Sequence, residues 1–171
     1  MQNSLVIDRK FNLAKFAIID FIMVGLFLLI PSISHMFSVP LYYAEPMRII
    51  VLLSILYTNR NNSLVLALLL PFISLVVSSH PYLLKSVLIA SELAINIFAF
   101  FILAKTMKNI LFAAFGSILI SKVFYYSFKG LFLNLGWING ELISTPIIAQ
   151  VISTVLLTAA FYFIYKKLIK E

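Results

Sequence analysis

The sequence predicts an all-α membrane protein, a bundle of six transmembrane helices with both termini in the cytoplasm. Its composition is the first reason, because 63% of the 171 residues are hydrophobic, only 11% are charged, and the mean hydropathy is +1.08. A soluble domain of this size needs a larger charged surface. The second reason is six apolar stretches separated by short polar turns, and the third is an unequal distribution of basic residues between the two ends of those stretches. We therefore expect one transmembrane domain over residues 1–171.

The predicted helices cover about residues 13–33, 45–57, 63–78, 82–104, 109–128 and 146–165. A helix needs roughly 20 apolar residues to span the membrane, so the second is short for a span. The first stretch follows Arg9 and Lys10 but is too long for the apolar region of a signal peptide, so we interpret it as a retained helix. Pro71 is expected to kink the third helix. A membrane β-barrel is disfavoured because its strands alternate apolar with polar residues, whereas these stretches are apolar throughout.

The basic residues predict the orientation of the bundle. With six spans, the two termini and the turns after the second and fourth helices share one side of the membrane. That side carries nine of the 13 basic residues: Arg9, Lys10, Lys15, Arg60, Lys105, Lys108, Lys166, Lys167 and Lys170. Cytoplasmic loops are enriched in lysine and arginine, so this side is predicted to be cytoplasmic.

Eight further ionisable residues are predicted to lie in or beside the external half of the membrane. They are Glu45, Arg48, His80, Lys85, Glu92, Lys122, Lys129 and Glu141. A charge inside the hydrocarbon costs a few kcal/mol, so such residues usually face the interior of a bundle or a water-filled cavity. A lysine near a helix end can instead extend its ammonium group to the interface. The depth of each residue decides between these two environments.

The fourth helix carries the deepest candidate residue. Lys85, Glu92 and Asn96 are seven and eleven positions apart, which at about 100° per residue places them within about 20° of one direction. Glu92 is near the middle of the helix and is expected to need a partner inside the bundle. The face either binds a substrate or carries an ion pair that fixes helix packing, since buried polar groups also hold membrane helices together.

On the fifth helix, Lys122, Tyr125 and Lys129 recur at helical spacing, with Tyr126 alongside. One interpretation is a cationic and aromatic wall around a ligand, formed mainly by Lys122 and Tyr125. The alternative is an interfacial aromatic belt with a lysine that reaches the surface, which is favoured for Tyr126 and Lys129.

Three further residues complete the candidate substrate-binding set. Arg48 follows a proline in a first helical turn and can pair with Glu45 or reach inward to Glu92. His80 either belongs to the turn before the fourth helix or contacts a ligand. Gln150 in the sixth helix, with Ser153 and Thr154 on adjacent faces, suits hydrogen bonds to a substrate or to a neighbouring helix.

The sequence lacks the features of an enzyme. It has no Gly-x-Ser-x-Gly, His-Glu-x-x-His or phosphate-binding glycine loop, and no aspartate cluster for a divalent metal. It contains no cysteine and only two histidines, His35 and His80, so we expect neither a metal site nor a cofactor. Any energy coupling is expected to come from a partner or an ion gradient.

The topology and several short segments resemble the substrate-binding S component of energy-coupling factor (ECF) transporters. The segments are Glu45-Pro46-Met47-Arg48, the Leu-Pro-Phe-Ile-Ser stretch of the third helix, Ser79-His80-Pro81, Lys85, and Glu92-Leu93. The resemblance implies a multi-pass protein of a prokaryotic plasma membrane that binds a vitamin or metal ion from outside. It further implies a separate transmembrane coupling protein and ATPase subunits that drive uptake.

These observations favour a binding subunit for a small, anionic or zwitterionic, vitamin-like solute. Four basic residues at the external side support this hypothesis, together with Tyr42, Tyr43, Tyr125 and Trp137. The alternative is a non-transporting membrane scaffold similar in size and hydropathy to the MreD cell-shape proteins, which predicts a polar cluster paired internally for structure. A secondary transporter is disfavoured because neither inverted repeats nor an ion site is evident.

Overall fold

The computed structural model describes residues 13–37, 41–78 and 82–170, and this part of the chain is all-helical. Its helices are α1 (Leu13–Phe37), α2 (Pro46–Tyr57), α3 (Arg60–Ser78), α4 (Leu83–Thr106), α5 (Ile110–Asn134) and α6 (Ile147–Lys170). A single 3-10 turn, Leu41–Ala44, precedes α2. The predicted all-α class, with six helices, is confirmed for the described residues.

Four of these helices, α3 to α6, are long and apolar enough to cross a membrane. Their apolar segments are 18, 24, 25 and 23 residues long, against the roughly 20 that a span needs. Helix α2 is apolar but has only 12 residues. The composition and length of these helices indicate a membrane-embedded protein.

Helix α4 lies at the centre of the bundle, where it packs against α2, α3 and α5. Its Phe100 is fully buried, with ring centroids 5.4 Å from Phe101 and 5.2 Å from Phe161 of α6. Both pairs meet edge to face, the arrangement that aromatic quadrupoles favour. A polar side chain on the buried face of α4 therefore meets neighbouring helices rather than lipid.

A network of hydroxyl groups forms the turn between α2 and α3. The hydroxyl of Ser54 lies 3.0 Å from those of Thr58 and Ser63, and all three residues are fully buried. The Asn59 side chain accepts a hydrogen bond from the Asn62 backbone N–H at 2.9 Å, which caps α3. Helix α3 therefore begins at Arg60, earlier than the expected residue 63.

The outer surface of the bundle is apolar. Phe21 of α1 is 81% exposed, and Ile148, Val151 and Phe163 of α6 are also exposed. Apolar patches of this extent are rare on soluble monomers, whereas lipid tails cover them without cost. This surface is what a membrane-embedded bundle requires.

Candidate functional site

The short helix α2 brings a charged linker residue into the bundle. Twelve residues of helix are about 18 Å long, well short of the ~30 Å hydrocarbon core. Glu45, in the linker immediately before α2, contacts Lys122, which is the middle residue of α5. Non-helical backbone at such a depth is tolerated only where protein or water surrounds it. Glu45 therefore lies inside the bundle rather than on its rim.

Glu45, Arg48, Glu92 and Lys122 form what we term the charged cluster. The Arg48 guanidinium pairs with the Glu92 carboxylate through Nη2 and with Glu45 through Nη1, the latter at 2.8 Å. Lys122 Nζ donates to Glu45 Oε1 at 2.6 Å. Ser153 Oγ of α6 lies 3.1 Å from the same oxygen and 3.0 Å from the Gln150 backbone carbonyl, so its single hydroxyl hydrogen is shared between these two acceptors. The cluster thus links α2, α4, α5 and α6 through two carboxylates.

The members of the cluster differ in exposure. Arg48 is 3% exposed and Glu92 12%, whereas Lys122 and Glu45 are 15% and 21% exposed. With two cations and two carboxylates the cluster has no formal net charge. Charges removed from water remain favourable only if they are paired and hydrogen-bonded, so each ion depends on its neighbours. Arg48 Nε and Nη1 are buried and form no hydrogen bond with the described residues, so the contact of Nη1 with Glu45 is an ion pair without hydrogen-bond geometry.

The backbone of Glu45 is in a left-handed conformation, with φ of 52° and ψ of 59°. Among the described residues it is the only non-glycine residue with positive φ. This conformation costs about 1–2 kcal/mol for a residue with a Cβ, and a following proline normally favours an extended backbone. The hydrogen bonds and ion pairs of the carboxylate offset that cost.

Two tyrosines and Gln150 lie beside the cluster, between α5 and α6. The Tyr126 hydroxyl donates to Gln150 Oε1 at 2.7 Å, and Gln150 Nε2 donates to the Thr145 backbone carbonyl at 2.9 Å. The Tyr125 and Tyr126 rings meet edge to face with centroids 5.3 Å apart. Gln150 thus makes the interhelical hydrogen bond that was one of its two expected roles.

Asn96 joins α4 to α5. Its Nδ2 donates to Ser117 Oγ at 3.1 Å, and Asn96 is fully buried. The Asn96 Oδ1 is also buried but has no hydrogen-bond partner among the described residues. Asn96 therefore contributes to helix packing and retains one free acceptor atom, about one helical turn after Glu92 along α4.

Lys85 does not join the charged cluster. It is half-buried near the start of α4, and no ion pair or hydrogen bond connects it to any residue of the described ranges. Lys129 also lies apart from the cluster, since its Nζ donates to Ser144 at 3.1 Å and sits 5.9 Å from the Tyr125 ring centroid. His80 lies outside the described residues.

Glu45 and Ser153 were not in the predicted substrate-binding set. The sequence placed Glu45 among the external ionisable residues and made it one of two possible partners for Arg48, yet it is the carboxylate that Arg48, Lys122 and Ser153 share. The Glu-Pro pair at the start of a short helix was the available signal. Nothing in the sequence distinguished Ser153 from the neighbouring polar residues of α6.

The cluster can hold charge but has no arrangement for metal binding. In the part of the chain that the structure describes, no three His, Asp or Glu side chains come close enough to bind a metal ion. Both carboxylates of the cluster instead face cations.

Comparison with known proteins adds no relative. No protein-family model matches the sequence, and no curated protein or solved structure shows detectable similarity to the chain.

Proposed function

We propose that this chain is a membrane-embedded substrate-binding subunit for the uptake of a small vitamin-like solute. Separate transmembrane and ATPase partners supply the energy, as the resemblance to ECF S components implies. The subunit itself performs no catalysis. In this proposal the charged cluster recognises an anionic or zwitterionic solute, with Tyr125 beside it.

The observation that carries the proposal is the convergence of four charges at the depth of the middle of α5, one of them on a linker. Ionisable residues inside a membrane bundle commonly mark the path or site of a polar solute. A binding site needs a few convergent polar groups among apolar and aromatic side chains, which Lys122, Arg48 and Tyr125 supply. Glu45 and Lys122 retain partial exposure, at 21% and 15%, and are the members of the cluster that a solute would contact first.

The proposal includes six spans with cytoplasmic termini, so that the cluster opens to the outside. The cluster lies towards the end of the bundle at which α2, α4 and α6 begin. Exposed lysines occur at the opposite end, among them Lys105, Lys108, Lys166 and Lys167. The positive-inside rule supports a cytoplasmic position for that end.

Cysteine labelling tests this orientation, because the protein contains no cysteine of its own. In spheroplasts, a membrane-impermeant maleimide is expected to label an Asn139→Cys variant, in the exposed loop between α5 and α6. A Lys108→Cys variant, in the exposed turn between α4 and α5, is expected to react only after permeabilisation. The reverse pattern would place the cluster on the cytoplasmic side and contradict an uptake role.

A second function has a specific observation in its favour. The charged cluster is balanced and its members pair with one another, which a non-transporting scaffold similar to MreD cell-shape proteins also predicts. In that case the pairs would serve helix packing alone. The strained backbone of Glu45 favours a binding site, as do Arg48 Nε and Nη1, which form no hydrogen bond with any described residue, since a purely structural cluster has no use for either feature.

Native mass spectrometry of the protein after gentle detergent extraction distinguishes the two functions. A binding subunit is expected to carry a small-molecule adduct that solvent extraction releases and identifies. A scaffold is expected to carry partner proteins and no such adduct. A spectrum that shows only protein partners and lipid would contradict the proposed function.

A further inference from the structure

We propose that Arg48, Lys122 and Ser153 form a carboxylate-binding site that Glu45 occupies in the ligand-free protein, and that a carboxylate-bearing ligand binds by displacing Glu45. The identity of the ligand rests on the proposed function, but the anion site itself does not. Three chain segments contribute donors to it: α2, α5 and α6.

The contacts of Glu45 are those of a bound carboxylate. Oε1 accepts from Lys122 Nζ at 2.6 Å and from Ser153 Oγ at 3.1 Å, while Oε2 lies 2.8 Å from Arg48 Nη1. Arg48 is nine-tenths buried, and its Nε and Nη1 both lack a hydrogen-bond acceptor in the described part of the chain, although Nη1 is ion-paired with Glu45. The charge-assisted hydrogen bond from Lys122 is among the stronger bonds that a carboxylate accepts, and the ion pair with Arg48 adds to it. The carboxylate of a ligand, once in the place of the Glu45 carboxylate, would contact the same three side chains.

The charge balance determines that one carboxylate must leave when another enters. The two cations already face two carboxylates, so a third would remain uncompensated in a site with little solvent. Glu92 is fixed on the central helix α4 and is the less exposed of the two carboxylates. Glu45 lies on the linker and is the more exposed, so it is the one that can move.

The backbone of Glu45 favours its release. A residue with a Cβ at φ 52° is strained, and that strain persists only while the surrounding contacts hold it. Once its carboxylate leaves the site, Glu45 can return to the extended conformation that a residue before proline prefers. Part of the cost of breaking its ion pairs is thereby recovered.

A Glu45→Gly variant tests the site with acetate as the probe. Glycine accepts the positive φ, so the backbone is preserved while the carboxylate is removed. Acetate is expected to raise the melting temperature of this full-length variant in detergent by about 2–4 °C relative to chloride of equal ionic strength. Acetamide is expected to have no effect, and the wild-type protein should respond less than the variant because Glu45 competes.

Two further variants define the site. In Glu45→Gln the amide still fills the site, so acetate should give no shift. Adding Lys122→Gln to Glu45→Gly should abolish the acetate shift. If the glycine variant does not remain folded in chloride, the yield of monodisperse protein purified in acetate against chloride replaces the melting temperature. The proposal is overturned if acetate acts equally on wild type, or if its effect survives the Lys122 substitution.

The outcomes separate this inference from the proposed function. An acetate response without a solute adduct would support the anion site and contradict the uptake role. A solute adduct without an acetate response would support the uptake role and contradict the anion site.

Discussion

Replacement of Arg48 by methionine is expected to destabilise the protein by about 3–5 kcal/mol, because it leaves Glu92 buried without its cation. Arg48 is 3% exposed and serves both carboxylates of the charged cluster. Glu45 keeps Lys122 and Ser153 after the substitution, but Glu92 has no other ion pair among the described residues. Unfolding by SDS in mixed micelles measures the change in free energy.

The double variant Arg48→Met/Glu92→Leu is the matched control for this prediction. Replacement of a whole buried ion pair by apolar side chains is often close to neutral, so most of the lost stability should return. A single variant as stable as the wild type would show that the pair does not hold α2 against α4. A double variant no more stable than the single one would also contradict the assignment.

Lys122→Gln is expected to weaken solute binding by about 30-fold or more while the bundle remains folded. Loss of one partner from a buried, hydrogen-bonded charge pair typically costs about 2 kcal/mol or more in affinity. Glu45 retains Arg48 at 2.8 Å and Ser153 at 3.1 Å, so the folded state loses less than the bound solute does. Equilibrium binding of the solute identified by mass spectrometry to purified variants measures the effect.

Lys129→Gln is the control variant on the same helix. Lys129 lies two turns closer to the end of α5 on the same face, is also buried, and bonds to Ser144 instead of the cluster. Its neutralisation is expected to leave solute affinity within about twofold of the wild type, because its hydrogen bond is to Ser144 and it makes no contact with the charged cluster. Equal losses of solute affinity in the Lys122 and Lys129 variants would mean that the overall positive charge of this part of the protein, rather than the charged cluster, attracts the solute.

The helices were predictable because each reflects a local property of the sequence. Long apolar stretches define α3 to α6, a polar turn at Asn59 precedes α3, and another at Asn109 separates α4 from α5. The exact ends depend on side-chain caps and on interactions outside the apolar stretch. Helix α5, for example, continues to Asn134, beyond the expected Phe128, because the apolar residues Leu131, Phe132 and Leu133 after Lys129 and Gly130 are also helical.

The need of Glu92 for a partner was predictable from its depth, but the identity of the partner was not. Arg48 was expected to pair with Glu45 or with Glu92, and its guanidinium reaches both because its two terminal nitrogens point in different directions. Lys85 shares the predicted helical face of Glu92, yet it lies too near the start of α4 to join the cluster. Helical periodicity gives direction around an axis but not the position of neighbouring helices.

The central position of Glu45 depends on tertiary structure. The linker reaches the middle of α5 only because α2 is short, and the left-handed backbone then directs the carboxylate at Lys122. A residue before proline is expected to be extended, so the local sequence favours a different conformation. Local preference and observed structure conflict at this one residue, as they often do at functional positions.

Solute occupancy of the Arg48→Met/Glu92→Leu variant, measured by native mass spectrometry beside the wild type, tests most directly whether the charged cluster is a binding site. The variant keeps the packing of α2 on α4 but removes the central ion pair, so folding and binding are separated. We predict a folded, monodisperse protein without the adduct that the wild type carries. A folded variant with wild-type occupancy would contradict the account and leave the cluster a structural feature only.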